Sequence, residues 1–305
     1  MDNRAVGRDI YLLRLAAPVV AERILPGQFV MLRLPDTYDP LLGRAFALFD
    51  TADDVAGKPT VLEIVYEVVG KMTNRLAGLA AGAQLEIWGP LGNGFPPLPT
   101  DQWILVAGGI GITPFVAFAR AALGLRRYGG TEHGFPPCRR ITLLYGARSA
   151  DQLVYVDQFR QMGVDVATST EDGSAGFRGL ITDLLVDFLS ARLSGPKGNR
   201  KGGPGELPGP DVAPQGSNQL PPDCKVLACG PEAMLAKVAE ICRQYAVPCW
   251  VSLETPMACG MGICFGCAVP VRTGPDSWDY KRTCVDGPIF PAELIAWDML
   301  RPSGH

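Results

Sequence analysis

Over residues 1–97 apolar and polar positions alternate in short stretches, as in "DIYLLRLAAP", "GQFVMLRLP" and "TVLEIVYEVVG", with Gly and Pro at the breaks. A period of two puts every second side chain on one face, so these stretches predict antiparallel strands and, together, a small β-barrel. From Trp103 the texture changes. "WILVAGG", "RRITLLYGAR" and "CKVLACGP" are unbroken apolar runs that end at glycine or small residues, the pattern of parallel strands buried on both faces. "TPFVAFARAALGLRRYG" and "PEAMLAKVAEICRQY" repeat apolar residues at the helical spacing. The expected fold is an antiparallel barrel over 1–97, an open parallel-sheet α/β domain over 98–248 and a small C-terminal domain over 249–305.

Two insertions interrupt the second domain. Residues 195–222 are half Gly plus Pro, with only Leu207, Val212, Ala213 and Leu220 apolar. Such a stretch cannot bury enough surface to offset its ordering entropy, so it is expected to be a disordered, dispensable loop. The shorter "YGGTEHGFPP" at 128–137 is expected to be an exposed loop or hairpin.

Charge narrows the possible partners. Lys plus Arg number 28 against 31 Asp plus Glu, a net charge of -3, so no basic field exists to hold nucleic acid or an anionic membrane surface. The N-terminus lacks the basic-then-apolar order of a signal peptide, and the longest uncharged apolar run, 104–119, is too short to span a bilayer. A cytoplasmic protein without a membrane span is expected. The chain has nine cysteines, and in that compartment thiols serve metals or chemistry more often than disulfides.

Four of them are grouped. "ACGMGICFGC" at 258–267 spaces Cys259, Cys264 and Cys267 as C-x4-C-x2-C, and Cys284 follows in "YKRTCVDGP". This is the plant-type spacing for a [2Fe-2S] cluster, with Gly260, Gly262 and Gly266 free to take positive φ and bring backbone N–H groups near the sulfurs. A structural zinc site is the competing reading; it more often draws on two separated C-x2-C pairs or on Cys/His mixtures. Cys138, Cys224, Cys242 and Cys249 are scattered and read as small buried thiols.

Two further stretches suit cofactors. "ILVAGGIGITPFVAFA" places Gly108, Gly109 and Gly111 between a strand and a helix, where phosphates can approach the backbone or where strand and helix simply pack closely. It departs from the G-x-G-x-x-G fingerprint. "LLGRAFALFD" sets Arg44 in an apolar strand, to snorkel to solvent or to pair with a phosphate. "WGPLGNGF" at 88–95 marks a tight turn where barrel and α/β domain join.

In this order the motifs resemble the ferredoxin-NADP reductase superfamily. "GPLGNGF", "ETPMACGMGICFGCAVPV" and "KRTCVDGPIFPAELI" look like the electron-transfer subunits of NAD-dependent dihydroorotate dehydrogenase. The resemblance covers the chain outside the insertions. It implies FAD in the barrel, NAD in the α/β domain, and a [2Fe-2S] cluster facing an FMN-containing catalytic subunit in a heterotetramer. Arg44, Ala45, Phe46 and Ala47 would form the flavin strand, with Val65, Tyr66 and Glu67 on the next. Met72 and Thr73 would open the helix receiving the flavin pyrophosphate. Gly108, Gly109, Gly111 and Thr113, with Cys229, Gly230 and Pro231, would line the nicotinamide path. Cys259, Cys264, Cys267 and Cys284 would hold the cluster.

The chain departs from the family in three places. Arg-Ala-Phe-Ala stands where Arg-Pro-Ile-Ser is common, Met72 where glycine is usual before Thr73, and Glu67 where a basic residue is usual. The implied function is relay of electrons from the partner's FMN through the cluster and FAD to NAD in pyrimidine biosynthesis, with no catalytic acid or base of its own. A self-standing or differently partnered reductase of the sulfide dehydrogenase kind, and a regulatory relative without flavin turnover, are the alternatives. Arg148 and Ser149 in "YGARS" leave NAD against NADP open.

Overall fold

In the computed structural model, which describes residues 2–130, 134–193 and 223–300, the alternating stretches of the N-terminal third become seven strands. These are β1 (Asn3–Gly7), β2 (Ile10–Ala16), β3 (Phe29–Arg33), β4 (Arg44–Ala47), β5 (Asp50–Asp53), β6 (Pro59–Glu67) and β7 (Glu86–Leu91). The short helices α1 (Pro18–Ala21) and α2 (Lys71–Ala77) lie between them. The strands form two antiparallel sheets, ordered β1-β2-β6-β5 and β4-β3-β7. The sheets share one core, in which Leu13, Leu62, Ile64 and Tyr66 pack with Val30, Leu32 and Phe46. Each such side chain contributes about 1.5–3 kcal/mol through burial.

β3 explains a local exception to the alternation. Its first four residues, Phe29 to Leu32, are all buried. Val30 and Leu32 face the shared core, whereas Phe29 and Met31 face outward and are covered by Cys267 and Cys284.

The apolar runs become β8 (Gln102–Gly108), β9 (Arg140–Ala147), β10 (Asp165–Thr170), β11 (Phe177–Arg178) and β12 (Cys224–Cys229). The helices are α3 (Phe115–Ala122), α4 (Val156–Gln161), α5 (Ile181–Leu193) and α6 (Glu232–Gln244). Leu105 of β8 packs with α3 and α4 residues such as Phe115 and Phe159. Ile104 and Val106 pack with Leu185 of α5 and Val238 of α6 on the other face. A parallel sheet covered on both sides requires such continuous apolar strands.

Two strands from 249–305, the stretch expected as a separate domain, complete this sheet. β13 (Cys249–Ser252) pairs with β12 in parallel, and the chain then makes a hairpin, β14 (Ala268–Gly274) and β15 (Ser277–Arg282), before β16 (Ile289–Pro291) returns antiparallel to β13. The order is β11-β10-β9-β8-β12-β13-β16. The cluster motif is thus carried on an excursion from one edge of the nucleotide sheet.

The two insertions fare differently. Residues 195–222 lie outside the described residues. The 128–137 stretch, expected to be exposed, instead carries Tyr128, which is 4% exposed and donates its hydroxyl to Asp50 Oδ1 at 2.7 Å. Phe135 packs edge-on against Phe118 at 5.6 Å. Gly and Pro announced a loop but not where its aromatic rings would go. Asp50 is 2% exposed and also pairs with Arg120 of α3 at 2.5 Å; a buried carboxylate needs such partners. The cluster of charges pins β5 to α3 and so holds the N-terminal sheets, which pair as two sheets where a barrel was expected, against the α/β domain.

Candidate functional site

After β13 the chain crosses the outward face of β3 and presents the four cysteines there. Gly260 (φ +72°) and Gly262 (φ +82°) both take the left-handed conformation that favours glycine. A Cβ on Gly260 would lie 2.6 Å from Met31 Cγ, and one on Gly262 2.6 Å from Val285 Cγ2. Gly266, expected to behave likewise, does not take a positive φ; its neighbour Phe265 does, at +57°. Arg282, which the sequence reading passed over, stabilises that turn. Its Nη1 donates to the Gly262 carbonyl at 2.8 Å, and its guanidinium lies 5.0 Å from the centre of the Phe265 ring.

The sulfurs fall into two pairs. Cys267 and Cys284, each 2% exposed, have Sγ atoms 3.2 Å apart. Cys259 and Cys264 are in mutual hydrogen-bond contact nearer the surface. Among the described residues no three His, Cys, Asp or Glu side chains converge on one ion. Two-plus-two thiolates are what a binuclear cluster requires, since each iron takes two, whereas tetrahedral zinc needs all four around one point.

Electrostatics point the same way. Burial opposes ionisation of Cys259, but the backbone N–H groups of Cys264, Met261 and Ile263 outweigh it and bring the thiol down to about 6. Burial, then the neighbouring Cys267, push Cys284 up to about 12. A buried thiol pair of that kind becomes a thiolate pair only beside a cation, and bound iron would supply one.

The expected flavin residues divide between surface and core. Arg44 is exposed, its Nη1 donating to the carbonyls of Leu42 and Gly43, each at 3.1 Å, and among the described residues it has no carboxylate partner. It is therefore free for an anion. Ala45 and Ala47 lie opposite Met31 and Phe29, on the same outward face of the sheet that meets Cys267 and Cys284. Phe46 points into the core shared by the two N-terminal sheets. Val65, Tyr66 and Met72 are also buried, at 4%, 2% and 3% exposure, so their side chains belong to the core. Tyr66 donates to Asn3 Oδ1 at 3.1 Å, and burial pushes its hydroxyl up to about 12. Glu67 is half-buried at the end of β6. The Thr73 hydroxyl accepts from the N–H groups of Val69 and Gly70 at 3.0 and 3.1 Å, which fixes the start of α2.

The residues expected to line the nicotinamide path converge. β8 is followed outward by β9 on one side and flanked by β12 on the other, so the connection reverses direction between β8 and β12. Ligands of open α/β sheets bind at that switch point, beyond the carboxyl ends of the strands. Gly108 closes β8, a 3₁₀ turn spans Gly109–Ile112 and Thr113 follows, buried. Opposite them lie Cys229, Gly230 and Pro231 at the end of β12. A Cβ on Gly111 would fall 2.2 Å from the Cys229 carbonyl oxygen, whereas one on Gly109 would meet nothing within 4 Å. Gly111 is required for packing and Gly109 leaves the backbone open to a ligand. Close packing thus accounts for Gly111, and Gly109 is the position at which phosphate approach is still expected. Burial holds the Cys229 thiol well above its ordinary value, with Glu254 adding to the effect.

Asn93 emerged only from the structure. The turn containing it was placed at the junction of barrel and α/β domain, but its side chain grips the segment after Cys284. Its amide donates to the Ile289 carbonyl at 2.8 Å and accepts from the Ile289 N–H at 3.2 Å. A Cβ on Gly92 beside it would meet Pro288 Cδ at 2.6 Å. This turn is the seat of the cluster segment on the N-terminal domain.

Comparison with known proteins agrees with this geometry. Residues 1–95 match an oxidoreductase FAD-binding domain, 105–240 an oxidoreductase NAD-binding domain, and 254–296 the iron-sulfur cluster binding domain of dihydroorotate dehydrogenase B. The electron transfer subunit of dihydroorotate dehydrogenase B (NAD(+)) from Desulforamulus reducens is 30% identical over 96% of this chain and 95% of its own. That from Caldanaerobacter subterraneus is 32% identical over 97% and 96%. A solved structure of an NADH-dependent reduced ferredoxin-NADP oxidoreductase superposes with a TM-score of 0.73 at 28% identity, covering 98% of this chain and 89% of that one. With an FAD-binding domain, an NAD-binding domain and that cluster domain in one order, the chain belongs to the family of electron transfer subunits of dihydroorotate dehydrogenase B.

Proposed function

We propose that the protein relays electrons between NAD and an FMN-containing dihydroorotate dehydrogenase subunit, in a cytoplasmic heterotetramer that serves pyrimidine biosynthesis. The observation that carries this reading is the shared face of the β4-β3-β7 sheet. Cys267 and Cys284 cover Phe29 and Met31 of β3, and Ala45 and Ala47 of β4 stand beside them on that face. FAD, when bound, exchanges a hydride with NAD and single electrons with an iron-sulfur cluster. The small side chains of Ala45 and Ala47 leave room for a planar ring next to the cysteines, and Arg44 at the strand's start is placed to hold a phosphate.

Replacing Arg44 with alanine removes a charge-assisted contact and is expected to weaken flavin binding by about 1.5–3 kcal/mol. Fluorescence titration of the apoprotein with FAD measures this, and FAD retained through dialysis as tightly as in the parent would remove Arg44 from the site.

The far side of the cluster motif is where a partner would dock. Met261, Ile263 and Phe265 are 51%, 74% and 60% exposed, an apolar group beside the surface-facing Cys264. Ile263→Glu and Phe265→Glu are expected to keep the cluster spectrum and NADH-driven dye reduction but to abolish co-purification with the catalytic subunit. Unimpaired co-purification of both variants would move the docking surface elsewhere.

The function itself is tested by co-expression with an FMN-containing dihydroorotate dehydrogenase subunit. Dihydroorotate-dependent NAD reduction by the complex, with two copies of each chain by native mass spectrometry, is the expected result. The similarity to the NADH-dependent ferredoxin-NADP oxidoreductase favours a differently partnered reductase as the second reading. NADH oxidation with ferredoxin but none with the dihydroorotate dehydrogenase subunit would select it.

A further inference from the structure

We propose that Trp88 is the positioning residue that fixes the distance between the flavin strand and the cluster loop, and with it the rate of electron transfer between FAD and cluster. The inference rests on the functional reading above, and adds a residue that the motifs do not mark. Trp88 lies in β7 opposite Met31, on the same face as Ala45 and the cysteines. At one end of its indole, Cη2 sits so close to Gly43 that a Cβ there would fall 2.6 Å from it; Gly43 immediately precedes Arg44. At the other end, Nε1 donates to the carbonyl oxygen of Cys259 at 2.9 Å. One rigid ring therefore packs against the residue that leads into the flavin strand and is hydrogen-bonded to the backbone of a cluster cysteine.

Packing alone would not need the indole nitrogen. Trp88 belongs to the apolar group around Phe29, Met31, Cys267 and Cys284, and a phenyl ring could fill most of that space. The hydrogen bond sets the two roles apart. The Cys259 carbonyl precedes Gly260, where an added Cβ would fall 2.6 Å from Met31 Cγ, so that carbonyl is the fixed point from which the ligand loop starts. Leaving it without its donor costs order in the loop rather than bulk in the core. A reacting pair held through its surroundings loses rate steeply when displaced by even an ångström.

The test uses Trp88→Phe and Trp88→Leu in the FAD- and cluster-loaded protein. After anaerobic mixing with NADH, flavin bleaching is expected at the parent rate, while the subsequent loss of cluster absorbance slows by roughly tenfold or more. Amide hydrogen exchange over residues 256–262 is expected to accelerate in both variants, which is independent of turnover. Cluster reduction at the parent rate in both variants would overturn the proposal. Loss of the cluster from Trp88→Phe would overturn it too, by making the residue part of ligation. In the unaltered protein the Trp88 indole N–H must exchange more slowly than that of Trp278, which is 40% exposed; equal exchange means that the bridge is absent. A parent protein without FAD or cluster would instead sink the functional reading, before any variant is compared.

Discussion

Cys267→Ser and Cys284→Ser are each expected to abolish the iron-sulfur absorbance almost completely. Both sulfurs are 2% exposed and 3.2 Å apart, so neither can be replaced at the metal by solvent. A serine hydroxyl ionises far less readily than a thiol, and burial already holds Cys284 up at about 12 without a metal. The variant would leave one buried thiolate facing an iron short of a ligand. Cys264→Ser is expected to bleach more slowly, because Cys264 is exposed and water can take the open position. Iron and acid-labile sulfide, measured on anaerobically purified protein, decide the matter. Stoichiometric zinc with neither iron nor sulfide in the parent would overturn the assignment.

The second large effect is expected from Gly111→Ala. Its Cβ would lie 2.2 Å from the oxygen and 2.5 Å from the carbon of the Cys229 carbonyl, and 2.8 Å from the Gly230 nitrogen. All three are backbone atoms that cannot rotate away. The ends of β8 and β12 must part, at a cost of about 1–3 kcal/mol or more, and the proposed nicotinamide path runs between those ends. NADH affinity is expected to fall at least about tenfold, since each 1.4 kcal/mol is one decade, while FAD and iron contents stay at parent levels. Gly109→Ala, at φ +53° with nothing within 4 Å, carries only the strain of a left-handed residue, about 1–2 kcal/mol. The two variants separate packing from backbone freedom. Parent-like NADH titrations for Gly111→Ala would show that the strand ends do not line the path.

The paired prolines, glycines and periods along the chain spelled out the elements well. "WILVAGG" had to be a buried strand because no surface position tolerates so long an apolar run, and it is β8, buried throughout. The cysteine spacing was nearly as local: three thiols within nine residues, with Cys284 further along, suggest their chemistry without reference to the rest of the fold. Arg44 was visible for the same reason, as a charge where its strand is otherwise apolar. Local signals did err in their reach. "TPFVAFARAALGLRRYG" carries helical spacing to its end, yet α3 stops at Ala122, where Gly124 takes φ +70°.

The amino-acid sequence by itself determined most of the elements, their order and the resemblance to the family, because each is written in residues a few positions apart. Tertiary structure alone decided which surfaces meet. Trp88 reaches Cys259 across 171 positions and Asn93 reaches Ile289 across 196, and β13 and β16 leave the expected cluster domain to complete the nucleotide sheet. Nothing local marks such partners: a tryptophan or asparagine has the same neighbours in the chain whether it binds the cluster loop or faces water. The contact exists only because the outward face of β3, left apolar, must be covered, and the segment that covers it is the one carrying the cysteines.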